Sequence, residues 1–198
     1  GEGARKQATA LVNHLGIPAV LTWAASDVLP ANHRLRFGFL GTHGDRHANI
    51  AVANSDYLLA VGSRLDTKAT GSPVHAFAPD ATRAMVDVDA AEIEKFAHFG
   101  LTIHHQIAAP ADQFIDESMN QLPSLRPTEW LATCRQWEKK LRKFDDELRV
   151  GIGLNPYQFL ARMTETAPEE ADFLLDTGCA LPWFMSAYKP RHGLRAFH

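Results

Sequence analysis

Arg64, Asp66 and Lys68 sit together in the segment Gly62-Ser63-Arg64-Leu65-Asp66-Thr67-Lys68-Ala69-Thr70-Gly71, directly after the apolar run Tyr57-Leu58-Leu59-Ala60-Val61. A guanidinium beside a glycine suits the grip of a phosphate. Arginine presents a planar fork of donors, and glycine lets a ligand approach the backbone closely. A second place of this kind is Asp87-Val88, at the end of the run 83–88. A carboxylate there can accept hydrogen bonds from ribose hydroxyls or from an adenine amine. A third is Gly1 and Gly3, just ahead of a helical pattern, where free N–H groups and the helix dipole favour an anion. This last signal is weak. Position 6 is Lys, so the segment is not GxGxxG, and a plain turn is an equal reading.

Other reactive types point to less. Ser63 stands between Val61-Gly62 and Arg64-Leu65, which is no G-x-S-x-G elbow, so no hydrolase is read there. His43 and His47 are four apart on an expected helix, but no third ligand accompanies them and no metal site is assigned. His104 and His105 are adjacent on an expected strand and point to opposite faces. Trp23, Trp130, Trp137 and Trp183 read as core or interface residues. No catalytic residue is assigned.

The elements that must position these groups follow from the hydropathy pattern. Residues 4–15 place Ala8, Leu11, Val12 and Leu15 on one helical face, stopped by Gly16 and Pro18. Strands are expected at 19–23, 57–62, 83–88 and 101–107, and helices at 44–55, 90–97 and 109–122. Asp89 and Glu92 have the spacing of a capping box. The strands are continuously apolar, as in a sheet covered on both faces. Residues 1–122 therefore predict an α/β domain: a doubly wound, mostly parallel sheet with helices on both faces. Ligands of such sheets bind beyond the carboxyl ends of the strands, which is where the glycines and polar groups gather. Gly1 and Gly3 mark the place where one more strand, ahead of the first helix, would end.

Residues 123–150 form a linker, with Trp130, Cys134, Trp137, Leu141, Phe144 and Leu148 making one helical stripe. It is expected to pack on its own protein, the other reading being a coiled-coil-like contact with a partner chain. Residues 151–198 restart the alternation as a truncated second α/β unit. They hold a helix begun by Asn155 and Pro156, a strand at 172–178 and a helix at 182–188.

Composition bounds the class. The chain has 198 residues, 45 % apolar and 22 % charged, enough for a packed core. A net charge of −3 without a basic stripe argues against nucleic acid. No apolar run reaches the roughly 20 residues of a membrane span, and no signal peptide is visible. Two cysteines without metal-ligand spacing fit a reduced, cytoplasmic protein. The opening Gly-Glu-Gly and the close on Gly-Leu-Arg-Ala-Phe-His suggest a piece of a longer protein, with trimming for expression as the alternative.

Three blocks, at 38–49, 57–71 and 84–95, occur in an order that resembles the central domain of thiamine-diphosphate-dependent enzymes of the acetolactate synthase (acetohydroxyacid synthase) group. The stretch from Gly153-Leu154-Asn155-Pro156 to Tyr188 resembles the start of their third, diphosphate-binding domain. The resemblance implies a parent that decarboxylates a 2-ketoacid such as pyruvate and transfers the two-carbon unit to an acceptor. It implies thiamine diphosphate and Mg²⁺ in that parent and a homodimer or homotetramer. FAD or ADP, or nothing, would occupy the central domain. The positions that match the flavin cradle are Gly1, Gly3, Thr22, Trp23, Leu40, Gly41, Thr42, His43, Gly62, Ser63, Arg64, Asp66, Asp87 and Val88. The activating glutamate and the GDG…N motif belong to other domains, and this chain contains no GDG. The fragment is therefore expected to be inactive and not to bind thiamine diphosphate and Mg²⁺. Thr67 and Lys68 replace the usual acid and Arg, Arg34 follows His33 where Pro is common, and Ala180, Leu181 and Pro182 replace Gly, Gln and His. These departures point towards relatives acting on other ketoacids or on activated sugars. Two other readings are a structural domain with an empty crevice and, more weakly, a nicotinamide dehydrogenase.

Overall fold

The structure, a computed structural model, describes residues 2–148, 153–191 and 193–197. Helix α1 (Glu2–Leu15) leads into β1 (Ala19–Leu21), which pairs in parallel with β2 (Arg36–Phe39). Helix α2 (Arg46–Ala53) then leads to β3 (Tyr57–Val61), and the short α3 (Thr67–Thr70) precedes β4 (Thr82–Asp87). Helix α4 (Ala90–His98), β5 (His105–Ala108) and α5 (Ala111–Gln121) follow. β3, β4 and β5 form a second parallel ladder, with Val61 opposite Val86 and Asp87 opposite Ala108. The chain is thus α/β with parallel strands and helices on both faces, as the apolar runs imply.

Several elements depart from the expected ones. β2 was not anticipated: Gly38 interrupts its apolar pattern. That glycine has φ +86, and a Cβ there would strike the Asp45 carboxylate, which accepts a bond from the Phe39 N–H at 2.8 Å. β1 stops at Leu21 because Thr22 is the cap of a 3₁₀ turn over Trp23–Ala25. α2 begins at Arg46, so His43 and Gly44 lie in the turn before it, and His43 and His47 do not share a helix. Leu101 and Ile103 are buried anchors of the loop under α4, and the strand begins only at His105. Asp89 caps α4 through the Ala91 N–H (2.9 Å), but Glu92 turns to Arg64 and Lys95, so the expected capping box is half made.

The core of the β3–β5 unit contains Met85, Ile93, Phe96, Leu101 and Ile103. Under it, the buried Arg83 donates to four backbone carbonyls: Phe77 (3.1 Å), Ala78 (2.5 Å), Pro79 (3.0 Å) and Thr102 (3.3 Å). They lie in the loops that flank β4, and the Ala78 carbonyl also accepts from the Ala81 N–H at 3.1 Å.

Helix α6 (Thr128–Leu148) packs on α2. Cys134 is buried with Phe37 and Ala51, and Trp130 meets Trp137 edge to face at 5.6 Å. The stripe therefore faces this protein's own sheet. The side chains of Phe144 and Leu148 lie outside the described residues. Burial pushes the Cys134 thiol up to about 11.

Beyond it, α7 (Pro156–Thr166) is capped by the Asn155 side chain, which accepts from the Tyr157 and Gln158 N–H groups. β6 (Asp172–Leu174), α8 (Ala180–Ala187) and the unanticipated β7 (Arg195–Phe197) complete the chain, with β6 and β7 in parallel. Phe184, Met185 and Leu194 share one apolar cluster with Leu21, Leu29 and Phe39. The underside of β1 and β2 is covered in this way.

Candidate functional site

The loops that leave β2 and β3 interlock. The Thr42 N–H donates to the Lys68 carbonyl at 2.8 Å. Gly41, at φ +110, lies so close to that carbonyl that a Cβ would overlap it. Asn49 fixes the same turn from below, accepting from the Gly41 N–H and donating to the Gly41 carbonyl, each at 2.8 Å. Gly41 and Thr42 are thereby brought against Lys68 and Ala69. His43 in turn stacks on Trp23, centroids 6.0 Å apart and 19° from parallel, which ties in the loop after β1. Thr22 is the residue before that loop.

The turn after β3 is unusual. Gly62, Arg64 and Leu65 all have positive φ (58°, 55° and 44°). Left-handed backbone is costly for a non-glycine residue, so something must hold Arg64 there. Lys95 donates to the Arg64 carbonyl at 2.9 Å and to Glu92 Oε2 at 2.5 Å, while Glu92 Oε1 accepts from the Arg64 guanidinium at 2.6 Å. The three residues close a ring. Asp66 caps α3 through the Ala69 N–H at 2.9 Å. Asp87 is buried at the end of β4 and accepts from the Asp89 N–H at 3.0 Å, whereas Val88 is 74 % exposed. The Ser63 hydroxyl is buried and has no hydrogen-bond partner.

Arg64 and Lys95 share the Glu92 carboxylate, and Asp87 and Asp66 act on Arg64 as well. The Arg64 side chain is 71 % exposed, so most of its donors face solvent. The hydrogen bonds from Arg64 and then Lys95 hold the Glu92 carboxyl down at about 2, and the Glu92 bond pushes Arg64 upward. Because the folded value lies below the ordinary 4.5, the ring is fully formed above that ordinary value and lost as pH falls towards 2. A carbon-detected NMR titration of the Glu92 carboxyl is expected to show no protonation at pH 4. A midpoint near 4.5 would mean that the ring does not form.

Of the residues singled out from the sequence, Trp23 stacks on His43, Gly41 and Thr42 meet Lys68 and Ala69, and Arg64 meets Glu92 and Lys95. Asp87 is the neighbouring strand end and adds to the field on Arg64. Gly3 stands apart from the expected position: it lies in the first turn of α1 rather than before it. Gly1 lies outside the described residues. Asn49, Glu92 and Lys95 were missed. Glu92 had a local reading as a cap, and only the fold brings it to a residue 28 positions away. Among the described residues no group of three or more His, Cys, Asp or Glu could hold a metal ion. Among them, too, no helix is long and apolar enough to cross a membrane.

A family profile described as "Thiamine pyrophosphate enzyme, central domain" matches residues 1–117. The chain is 42 % identical over 199 aligned residues to the acetolactate synthase large subunit of Corynebacterium glutamicum, covering 98 % of this chain and 31 % of the relative. It is 30 % identical to the acetolactate synthase of Mycobacterium bovis, covering 98 % and 32 %. The large subunit from Lactococcus lactis subsp. lactis is 28 % identical over 90 % and 30 %. The chain thus spans about a third of the length of the curated relatives it matches. It belongs to the thiamine pyrophosphate enzyme family, and its first 117 residues are the family's central domain.

Proposed function

We propose that this chain supplies the nucleotide-holding central domain of an acetolactate synthase-like carboligase. The single observation that carries the reading is Arg64, held at a strand end by Glu92 and Lys95 while most of its guanidinium faces solvent. FAD or ADP is the ligand class. Arg64 meets the diphosphate, with Gly62 keeping a side chain out of its way, while Gly41 makes room for the Lys68 carbonyl that shapes the edge. The Ser63 hydroxyl, buried without a partner, fits a phosphate or ribose oxygen. Thr22, Trp23, Thr42, His43, Asp66 and Val88 border the same edge, and the free oxygen of Asp87 meets the adenosine. Gly1 and Gly3 would complete the cradle from the start of α1.

The parent enzyme decarboxylates a pyruvate-like 2-ketoacid and passes the two-carbon unit to an acceptor, in the cytoplasm and as a homodimer or homotetramer. Thiamine diphosphate with Mg²⁺ would supply the carbanion chemistry of that reaction. Residues 1–122, 123–150 and 151–198 are taken as central domain, linker helix and the beginning of the diphosphate-binding domain. In that last unit the apolar Leu181 is buried in the core below β1, so α8 offers packing rather than polar contacts at this point. This fragment alone forms no acetolactate from pyruvate.

Amide chemical-shift mapping with ADP tests the site. Shifts are expected at Gly41, Gly62, Ser63, Arg64 and Asp87. Shifts confined to residues 153–191, or none at millimolar ADP, would overturn the reading.

A further inference from the structure

Lys95 lies in the last turn of α4, on a different element from the Arg64 turn. A lysine three places after a glutamate on a helix is ordinarily a surface pair of small effect. Here the pair with Glu92 is only part of what the ammonium does. It also donates at 2.9 Å to the Arg64 carbonyl, 31 positions back in the chain. The donor is held in place. Its side chain is 29 % exposed, against 71 % for Arg64, and the ammonium lies 5.2 Å from the ring centroid of the buried Phe96.

The turn it reaches needs holding. Gly62 adopts positive φ without strain, but Arg64 and Leu65 do not. Leu65 is anchored by its side chain, buried in the cluster with Val52, Phe77 and Ile93. Asp66 is anchored as the cap of α3. Arg64 has neither anchor. Its bond to Glu92 is made by the far end of a long side chain, which leaves φ undefined. Among the described residues, the bond from Lys95 is the one hydrogen bond made by the Arg64 main chain.

We propose that Lys95 is a positioning residue for the nucleotide edge. It holds Arg64 in the left-handed conformation before any ligand arrives, so the ordering of this turn precedes binding instead of opposing it. It acts through Arg64 and meets no ligand itself. Its effect on affinity rests on the nucleotide reading above, and its effect on the turn does not.

The test variant is Lys95→Met, which keeps the stem beside Phe96 and removes the ammonium. In the ligand-free chain, the NOE from the Arg64 amide to its own Hα reports the turn, because it is strong only at positive φ. It is expected to be strong in wild type and to fade in Lys95→Met. Lys95→Arg, which still offers a donor to the carbonyl, should restore it, and Glu92→Gln should leave it in place. A turn that is competent about a tenth of the time binds about 10-fold more weakly, so ADP affinity should fall by that factor in Lys95→Met and recover in Lys95→Arg. Adding Lys95→Met to Arg64→Ala should weaken binding no further, since the residue it positions is gone. Slow exchange of the Met85 amide reports that each chain is folded. An unchanged Arg64 NOE in a folded Lys95→Met chain would overturn the proposal. So would a further loss of affinity in the double variant, which would put Lys95 on the ligand itself. A wild-type chain that binds no ADP would remove the nucleotide reading, and the NOE would still decide whether Lys95 holds the turn.

Discussion

Replacing Arg83 with alanine is expected to destabilise the chain by roughly 3–5 kcal/mol. A hydrogen bond to a charged group contributes about 1.5–3 kcal/mol, and a buried acceptor left without a donor costs about 1–3 kcal/mol. Arg83 serves the carbonyls of Phe77, Ala78, Pro79 and Thr102, and the last lies across the loop that returns to β5. Ala78 itself has φ +46, a conformation that the bond to its carbonyl helps to hold. The four bonds do not add independently, and water enters the truncated site, so the total stays well below the sum. Arg83→Lys should recover only part of the loss, since a point charge cannot reach both sides of the fork. Urea unfolding checks both variants, and a loss under about 1 kcal/mol in the alanine variant would contradict the clamp.

Replacing Arg64 with alanine should leave stability nearly unchanged, because its ion pair is mostly exposed. Its effect falls on the ligand. Loss of one charge-assisted contact to a phosphate is worth about 1.5–3 kcal/mol, so ADP or FAD affinity is expected to fall roughly 10- to 100-fold. Glu92→Gln should keep a hydrogen bond to Arg64 while removing the competing charge, and so tighten binding modestly. Equal affinity in wild type and Arg64→Ala would take the diphosphate away from this residue.

These two arginines also show what could be read before the structure. Arg64 stood out because a polar cluster follows an apolar strand, and parallel sheets bind ligands at that edge. Arg83 did not stand out, since its four partners are backbone carbonyls that have no sequence signature. β3 was legible as an unbroken apolar run and β4 from its apolar centre Ala84-Met85-Val86. β2 was not, because Gly38 fits the turn at Asp45 instead of the strand pattern. Glu92 satisfied a local rule and was used for a distant contact. Tyr57–Val61 reads as an interior strand; it is a strand, but it pairs only with β4 and is largely half-buried or exposed.

The most direct measurement of the central claim is a calorimetric titration of FAD and of ADP into the chain, with Arg64→Ala beside it. Saturable binding of at least one nucleotide with one site per chain, weakened in the variant while its Tm is unchanged, is the predicted result. No heat from either nucleotide at millimolar concentration, in a chain whose β4 amides remain protected, would contradict it and leave a domain that shapes the enzyme without holding a nucleotide.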